Sequence, residues 1–436
     1  MSILLYSIFL WLYETGIRLI APWNPKARLW LNGRKDIFKK ITAAGIDKKN
    51  PVVWMHCASL GEFEQGRPLL EKVRTLYPSS KIILTFFSPS GYEIKKGYPG
   101  ADHIFYLPTD SRRHARHFLD LVHPALVLWI KYDYWYFYLE ELKKRGVPTL
   151  LVSAVFRPGQ VFFRWYGKLH RYLISCFTHV FVQTPDSAEL LGKIGFSSNV
   201  NVSGDTRFDR VIEIAEQFEP LPLVENFCGS SQVVVAGSTW EEDEEELDHY
   251  ANTHPDTRFI IAPHEIDESR LKEIEKLFRN SVRLSLLEKQ SEDQYTQNPE
   301  PDKADLHRQM GPHPNVLVID NIGMLSRLYK YGTITYVGGG FGDDGVHNVL
   351  EAAVYGKPVV MGPVIDKYVE ALELVDSGGG IVIDSALEAE AVFTSLFTNQ
   401  EEYRFSCQAS KDYVYAKRGA TSMVMDFIQA KRLLTR

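Results

Sequence analysis

The sequence predicts an α/β protein made of two parallel-sheet domains in tandem. Three observations carry this. The chain has 436 residues, too many for one ordinary core and suited to two domains of about 200 residues each. From Pro51 onward, short apolar runs alternate with helical stretches, the pattern of strands covered by helices on both faces. The same pattern restarts after residue 230. Ligands of such sheets bind beyond the C-terminal ends of the strands, so the residues that follow each strand are the ones to search.

In the first half, Val52–Cys57 (VVWMHC) reads as a buried strand, broken at Ala58-Ser59-Leu60-Gly61 before a helix over 62–77. Lys81–Phe86 is the next strand, followed by a turn at Ser88–Gly91 and a short helix. Further strands are expected over 103–107, Leu126–Ile130, 149–153 and 179–183. Residues 213–230, with Pro220 and Pro222, read as the linker between domains over 41–212 and 231–407. The second half opens with a strand over 232–236, a turn at Gly237-Ser238-Thr239 and an acidic helix over 240–253. Strands follow over 258–262, 316–319, 333–337, 358–361 and 380–383, with a polar surface loop over 288–315. A final helix over 408–436 is expected to pack back toward the first domain.

Residues 1–40 form a separate N-terminal segment. Its apolar stretch, 3–13, covers about half of the ~20 residues that a bilayer crossing takes. Glu14, Gly16 and Arg18 interrupt it, and 17–23 resumes it. Arg18, Lys26, Arg28, Arg34, Lys35, Lys39 and Lys40 follow, and Trp11, Trp23 and Trp30 suit a lipid–water boundary. The segment reads as a membrane-associated helix lying in the inner leaflet with its cations toward anionic head groups. A helix packed on the protein's own core and a single span are the alternatives. No basic residue precedes the apolar stretch and no small-residue cleavage site closes it, which argues against a secretory signal.

Composition narrows the function. Hydrophobic residues make up 45% and charged residues 24%, which excludes disorder, collagen and a polytopic membrane protein. Four scattered cysteines with no CxxC pair exclude a zinc ribbon and fit a reducing compartment. The net charge of −6 hides an asymmetry: residues 1–210 hold 29 Lys and Arg against 17 Asp and Glu, and residues 211–436 hold 20 against 38. The basic half is suited to an anionic partner.

Two segments stand out chemically. Residues 337–363 (VGGGFGDDGVHNVLEAAVYGKPVVMGP) place glycines, including Gly339 and Gly340, after a strand and ahead of a helix expected to start near His347-Asn348. Glycines let a phosphate approach the main chain, and Glu351, one turn in, is suited to a ribose diol. No GK[ST] follows, so this is not a Walker A loop. In the second segment, 56–68 (HCASLGEFEQGRP), a tight turn puts Glu62 at the mouth of the sheet, either as a general base or as a helix-capping carboxylate. Ser238-Thr239 is placed to hold a phosphate or to cap the acidic helix. Pro263-His264 ends another strand, and Lys131 and Arg207 are cations beside strand ends. There is no Asp-x-Asp and no His cluster at ligand spacing, so no metal and no cofactor is expected.

Taken in order, these blocks resemble the lipid A Kdo transferases (3-deoxy-D-manno-octulosonic acid transferases). The likeness runs over residues 54–68, 85–93 (TFFSPSGYE), Asp133-Tyr134-Trp135, 204–209 (GDTRFD), 237–241, Ala262-Pro263, 320–325 (DNIGML) and 337–363 with GxHNxxEAA. The resemblance implies a GT-B architecture, two Rossmann-like domains facing across a cleft with a membrane-associated N-terminus. It implies an inverting transfer of Kdo from CMP-Kdo to a lipid A precursor at the cytoplasmic face of the inner membrane, with no nucleic-acid partner. By the same resemblance Glu62 matches the general base, and Lys131 and Arg207 match positions that stabilise the transition state. Pro263, His264, Ile322, Gly323, Met324, Asn348, Val349, Leu350 and Glu351 fall on the stretches that bind CMP, and Ser238, Thr239, Gly339, Gly340 and His347, read from the residues above, join them as candidate donor-binding residues. Lys131 stands where the family usually has an acid, Arg207 where it has Lys, His264 where it has Arg and Met324 where it has Glu. The rival readings are a GT-B enzyme using a UDP-sugar and a non-catalytic lipid A or sugar-nucleotide binder.

Overall fold

The computed structural model describes residues 3–47, 49–289 and 314–434. The chain divides into two units, Met1–Arg210 with Lys417–Arg436, and Val211–Ala416.

The first unit holds a seven-stranded parallel sheet ordered β3-β2-β1-β4-β5-β6-β7. Its strands are β1 (Val52–Cys57), β2 (Lys81–Phe86), β3 (His103–Tyr106), β4 (Leu126–Ile130), β5 (Thr149–Ala154), β6 (His179–Val182) and β7 (Val200–Val202). Strands β1 and β4 are buried throughout, as the apolar runs require of a sheet covered on both faces. β1 lies between β2 and β4. The chain winds outward from β1 to β3 and then returns to β4 on the other side. The C-terminal ends of β1 and β4 therefore flank the switch point where such sheets bind ligands.

The second unit also holds a seven-stranded parallel sheet, ordered β10-β11-β9-β8-β12-β13-β14, with β11 inserted between β9 and the edge strand β10. Its strands are β8 (Val233–Thr239), β9 (Arg258–Pro263), β10 (Ser281–Arg283), β11 (Val316–Val318), β12 (Ile334–Val337), β13 (Val359–Met361) and β14 (Gly380–Val382). Here β8 and β12 flank the switch point.

Several sequence expectations change. The short edge strands β7 and β10, one polar in sequence (VNV) and one charged (SVR), were not anticipated. The turn expected at Gly237-Ser238-Thr239 is the end of β8, with Ser238 at φ 55 and a register shift against β9. The linker is largely helical: the helix Thr206–Glu216 runs into it, and Pro222–Cys228 forms another helix that buries Val224 and Cys228. Most of the expected loop over 288–315 lies outside the described residues. The final helix is interrupted: Gln400–Ala416 ends before Gly419, at φ 116, and Ala420–Ala430 begins after it. Asp209 caps this last helix, accepting the Gly419 and Thr421 N–H groups at 2.7 and 2.6 Å. Val424, Met425 and Ile428 then join the core of the first unit.

The N-terminal segment is only partly a separate body. Helix α1 (Ile3–Ile20) buries Tyr6 alone, and by length and composition it is able to cross a membrane. The Tyr6 hydroxyl donates to Asp110 at 2.5 Å. Helices α2 (Pro25–Arg34) and α3 (Ile37–Ala43) pack into the unit through Trp30, Ile37 and Ile41.

Candidate active site

Helix α4 (Leu60–Leu76) starts directly beyond β1, and Glu62 lies in its first turn. The residue is 9% exposed. Its carboxylate accepts the Ala58 N–H, the back-reaching bond of a capped helix start. Both sequence readings of Glu62 therefore describe the same group: it caps the helix and remains titratable. Burial, reinforced by the charge of Asp133, pushes its pKa up to about 7, against the pull of the Ala58 N–H and Lys131. A carboxyl group poised near neutrality suits a general base.

Lys131 follows β4 immediately and adopts the left-handed conformation at φ 59, uncommon for a side chain of its size. Its Nζ lies 5.5 Å from the Tyr132 ring. Arg207 is held at the start of the helix Thr206–Glu216. Its main-chain N–H and its Nε both donate to Asp205, at 2.9 and 2.8 Å. Asp205 is buried and also receives Gln65 Nε2 at 3.3 Å. Tyr132, which the sequence reading missed, marks where these groups converge. Burial raises its pKa, and after burial the charges of Arg157, Glu62, Asp205 and Arg207 act on it. Glu62, Lys131 and Arg207 thus share one electrostatic neighbourhood in the first unit.

Asp133, quoted for its motif but given no role, sits beneath. Its carboxylate lies 3.7 Å from Nε2 of the fully buried His56, whose Nδ1 pairs with Thr85 Oγ1 at 2.9 Å. Among the arginines behind the basic excess of the first unit, Arg67 is already paired, to Glu71 at 2.8 Å and Glu64 at 3.7 Å. Arg157 and Arg164 are exposed, and Arg112 and Arg113 line a cavity of ≈ 450 Å³.

The second unit gathers its predicted residues along the C-terminal edge of its sheet, with corrections. Thr239 is 1% exposed and its hydroxyl donates to Glu244 at 2.7 Å, so that hydroxyl is committed inside. The half-buried Ser238 is the one placed at the edge. The helix expected to start near His347 begins at Leu350 and lasts one turn, Leu350–Ala353. It therefore brings little macrodipole. Asn348 Oδ1 accepts the Leu350 N–H at 3.3 Å, and its Nδ2 donates to Glu351 at 2.9 Å. Val349 and Leu350 are fully buried, which leaves their main chain to act. The glycines serve the fold itself: a Cβ on Gly340 would stand 2.6 Å from the Gly362 nitrogen, and Gly339 has φ 90. Its N–H donates to Asp243 at 2.7 Å.

Three rings stack beside these glycines. Trp240 and His264 lie 4.5 Å apart, and His264 and His347 4.7 Å apart. Trp240 Nε1 donates to His347 Nε2 at 3.0 Å. Burial, with the nearby His264, lowers the His347 pKa to about 4, so the ring is neutral near pH 7. Ile322 is 88% exposed and Gly323 takes φ 100 on the loop beyond β11, ahead of Met324. Sequence reasoning missed Trp240, Asp243 and Glu244. The run after Thr239 read only as an acidic helix, yet Asp243 and Glu244 are fully buried.

The folds of both units match solved two-domain structures. UDP-GlcNAc 2-epimerase from Neisseria meningitidis aligns with a TM-score of 0.59 at 18% identity, covering 87% of this chain and all of that one. MurG from Acinetobacter baumannii aligns at 0.51 and 12%, covering 87% and 99%. With these neighbours the fold class is GT-B. Residues 33–210 match the family profile described as 3-deoxy-D-manno-octulosonic-acid transferase (kdotransferase). Among curated proteins, the 3-deoxy-D-manno-octulosonic acid transferase of Aquifex aeolicus is 25% identical over 81% of this chain and 88% of its own. That of Haemophilus influenzae is 23% identical over 86% of each. Over most of its length the chain is thus similar to the Kdo transferases, at the low identity of a divergent relative, and the class of activity this likeness supports is glycosyl transfer.

Proposed function

We propose that the protein transfers Kdo from CMP-Kdo to a hydroxyl of a lipid A precursor of the lipid IVA type, with inversion and without a metal or cofactor. The observation that carries this is Glu62: a carboxyl with a pKa of about 7 at the switch point of the first sheet. Glu62 takes the proton of the acceptor hydroxyl. The freed oxygen attacks the anomeric carbon of Kdo as the bond to the phosphate oxygen of CMP breaks, and the phosphate leaves with the electron pair. Lys131 and Arg207 offset charge that develops during transfer. The nucleotide is assigned to the second unit. There Ser238, His264 and the main chain at Gly339-Gly340 receive the phosphate, Pro263 and Ile322–Met324 border the base, and Asn348 with Glu351 takes the ribose. Thr239 and His347 support that edge from within.

The acceptor and the membrane are assigned to the first unit. Its basic excess suits a phosphorylated lipid. Helix α1 carries exposed apolar side chains, Trp11 at 66% and Leu4 at 69%, and Trp23 follows at 83%. The helix spans about 27 Å, but Glu14 and Arg18 break its apolar face near the C-terminal end. This supports a helix seated in the cytoplasmic leaflet of the inner membrane.

A nucleotide panel tests the donor. CMP is expected to raise the melting temperature and UDP to leave it unchanged, with Kdo appearing on lipid IVA by mass spectrometry. Protection by UDP alone would move the reading to a UDP-sugar enzyme. Binding of CMP-Kdo without turnover would make the protein a binder.

A further inference from the structure

A second basic site lies away from Glu62, at the base of α1. A cavity of ≈ 430 Å³ has Glu14, Arg18, Arg34, Lys35, Asp36 and Lys39 among its lining residues. Four cations face two carboxylates, and both carboxylates are taken: Arg18 binds Glu14 at 2.7 Å and Lys39 binds Asp36 at 2.8 Å. Arg34 has no carboxylate bound to it among the described residues. Its Nε, Nη1 and Nη2 donate to the carbonyls of Leu107, Trp30 and Phe87 at 3.0, 3.3 and 2.7 Å. Its guanidinium lies 3.9, 4.8 and 4.9 Å from the rings of Trp30, Phe87 and Tyr106. These contacts fix the fork in place and use three of its five N–H donors. Burial lowers its pKa to about 9, the consequence of exchanging water for neutral partners. A held, desolvated guanidinium of this kind normally meets an anion.

Two features identify the anion. The cavity has room for roughly a dozen waters at their liquid volume, more than a bare tetrahedral ion fills. It also opens beside Glu14 and Arg18, on the same helix that exposes Leu4, Phe9, Trp11 and Leu12. A molecule with acyl chains along α1 places its head group there. We propose that this cavity binds the phosphodiester head group of an anionic membrane phospholipid, gripped by the fork of Arg34. The proposal rests on the membrane placement of α1 and not on the sugar-transfer chemistry.

Vesicles of phosphatidylcholine, alone or with about one-fifth phosphatidylglycerol, test it by co-sedimentation of the full chain. The wild type is expected to favour the anionic vesicles about tenfold. Arg34→Lys, which keeps the charge and loses the fork, is expected to lose most of that preference. Lys26→Gln, which removes a whole charge outside the cavity, is expected to keep more of it. Lys39→Gln, at an exposed rim position, serves if Arg34→Lys folds poorly, and is expected to cut the preference about threefold. An undiminished preference in Arg34→Lys or Lys39→Gln, or an equal loss in Lys26→Gln, overturns the proposal. Equal binding to both vesicles removes the cavity site alone, whereas binding to neither removes the membrane placement of α1 with it. If the vesicles are not distinguished but sodium phosphate raises the melting temperature of the wild type and not of Arg34→Lys, the site takes a free anion and the lipid is excluded.

Discussion

Two glutamates occupy matching places in the two units and differ in what holds them. Glu62 lies five residues past the end of β1, and Glu244 lies five past the end of β8. Burial pushes both up to a pKa of about 7. Glu244 is fully buried, accepts the Thr239 hydroxyl, and is bonded to Arg270. Glu62 keeps a little exposure and is held by a main-chain N–H, with Asp133 opposing its ionisation. One strand-turn-helix unit thus yields a strut in one case and the proposed base in the other. The partner decides which: a cation fixes the carboxylate as structure, whereas a neutral donor leaves its charge for chemistry.

Glu62→Gln should separate the two roles most widely. The amide keeps the shape and can still accept the Ala58 N–H, but it cannot take a proton. Turnover is expected to fall about a thousandfold with the melting temperature and donor KM little changed. Near-normal turnover in a folded variant would leave Glu62 as a cap only. Glu244→Gln should do the reverse. It strands Arg270 beside a neutral amide, and breaking a buried pair in this way costs about 3 kcal/mol. The expected readout is a lower melting temperature and a raised donor KM, with kcat near normal in the folded fraction. A large loss of kcat at unchanged stability would give Glu244 a chemical role and erase the contrast.

The extent to which this was legible from sequence follows the same physical line. Buried parallel strands announce themselves because both faces are apolar, so VVWMHC and LVLWI were placed to the residue. Three-residue edge strands such as VNV and SVR are held by pairing and not by burial, and leave no apolar run. Glu62 was visible because a tight turn after a strand points to the switch point. Asp243 and Glu244 were hidden because EEDEEE looks like a solvated face, and their burial depends on Tyr336, Gly339 and Arg270 far along the chain. The glycines at 338–340 were noticed for an anion, yet the steric demand on Gly340 comes from Gly362. Tyr132 carried no pattern at all. Its place follows from the left-handed turn at Lys131, which the sequence does not reveal.

The smallest expected effect tests how Glu62 is tuned. After burial, the charge of Asp133 is the main influence raising its pKa. Because the ionised form is the base, kcat/KM should rise tenfold per pH unit on the acid side and level off above about pH 7. Asp133→Asn removes the like charge, makes ionisation easier, and should move this limb to lower pH by about one unit. Stability follows the opposite sense to activity. The folded pKa of Glu62 lies above its unfolded value, so folding favours the protonated form. That contribution is fully present below the unfolded pKa and is lost as pH rises through about 7. Melting curves should therefore show a fall across this window that Glu62→Gln abolishes and Asp133→Asn shifts downward. An acid limb that stays in place in Asp133→Asn would mean that burial alone sets the pKa, and the difference between Glu62 and Glu244 would then rest on Arg270 by itself.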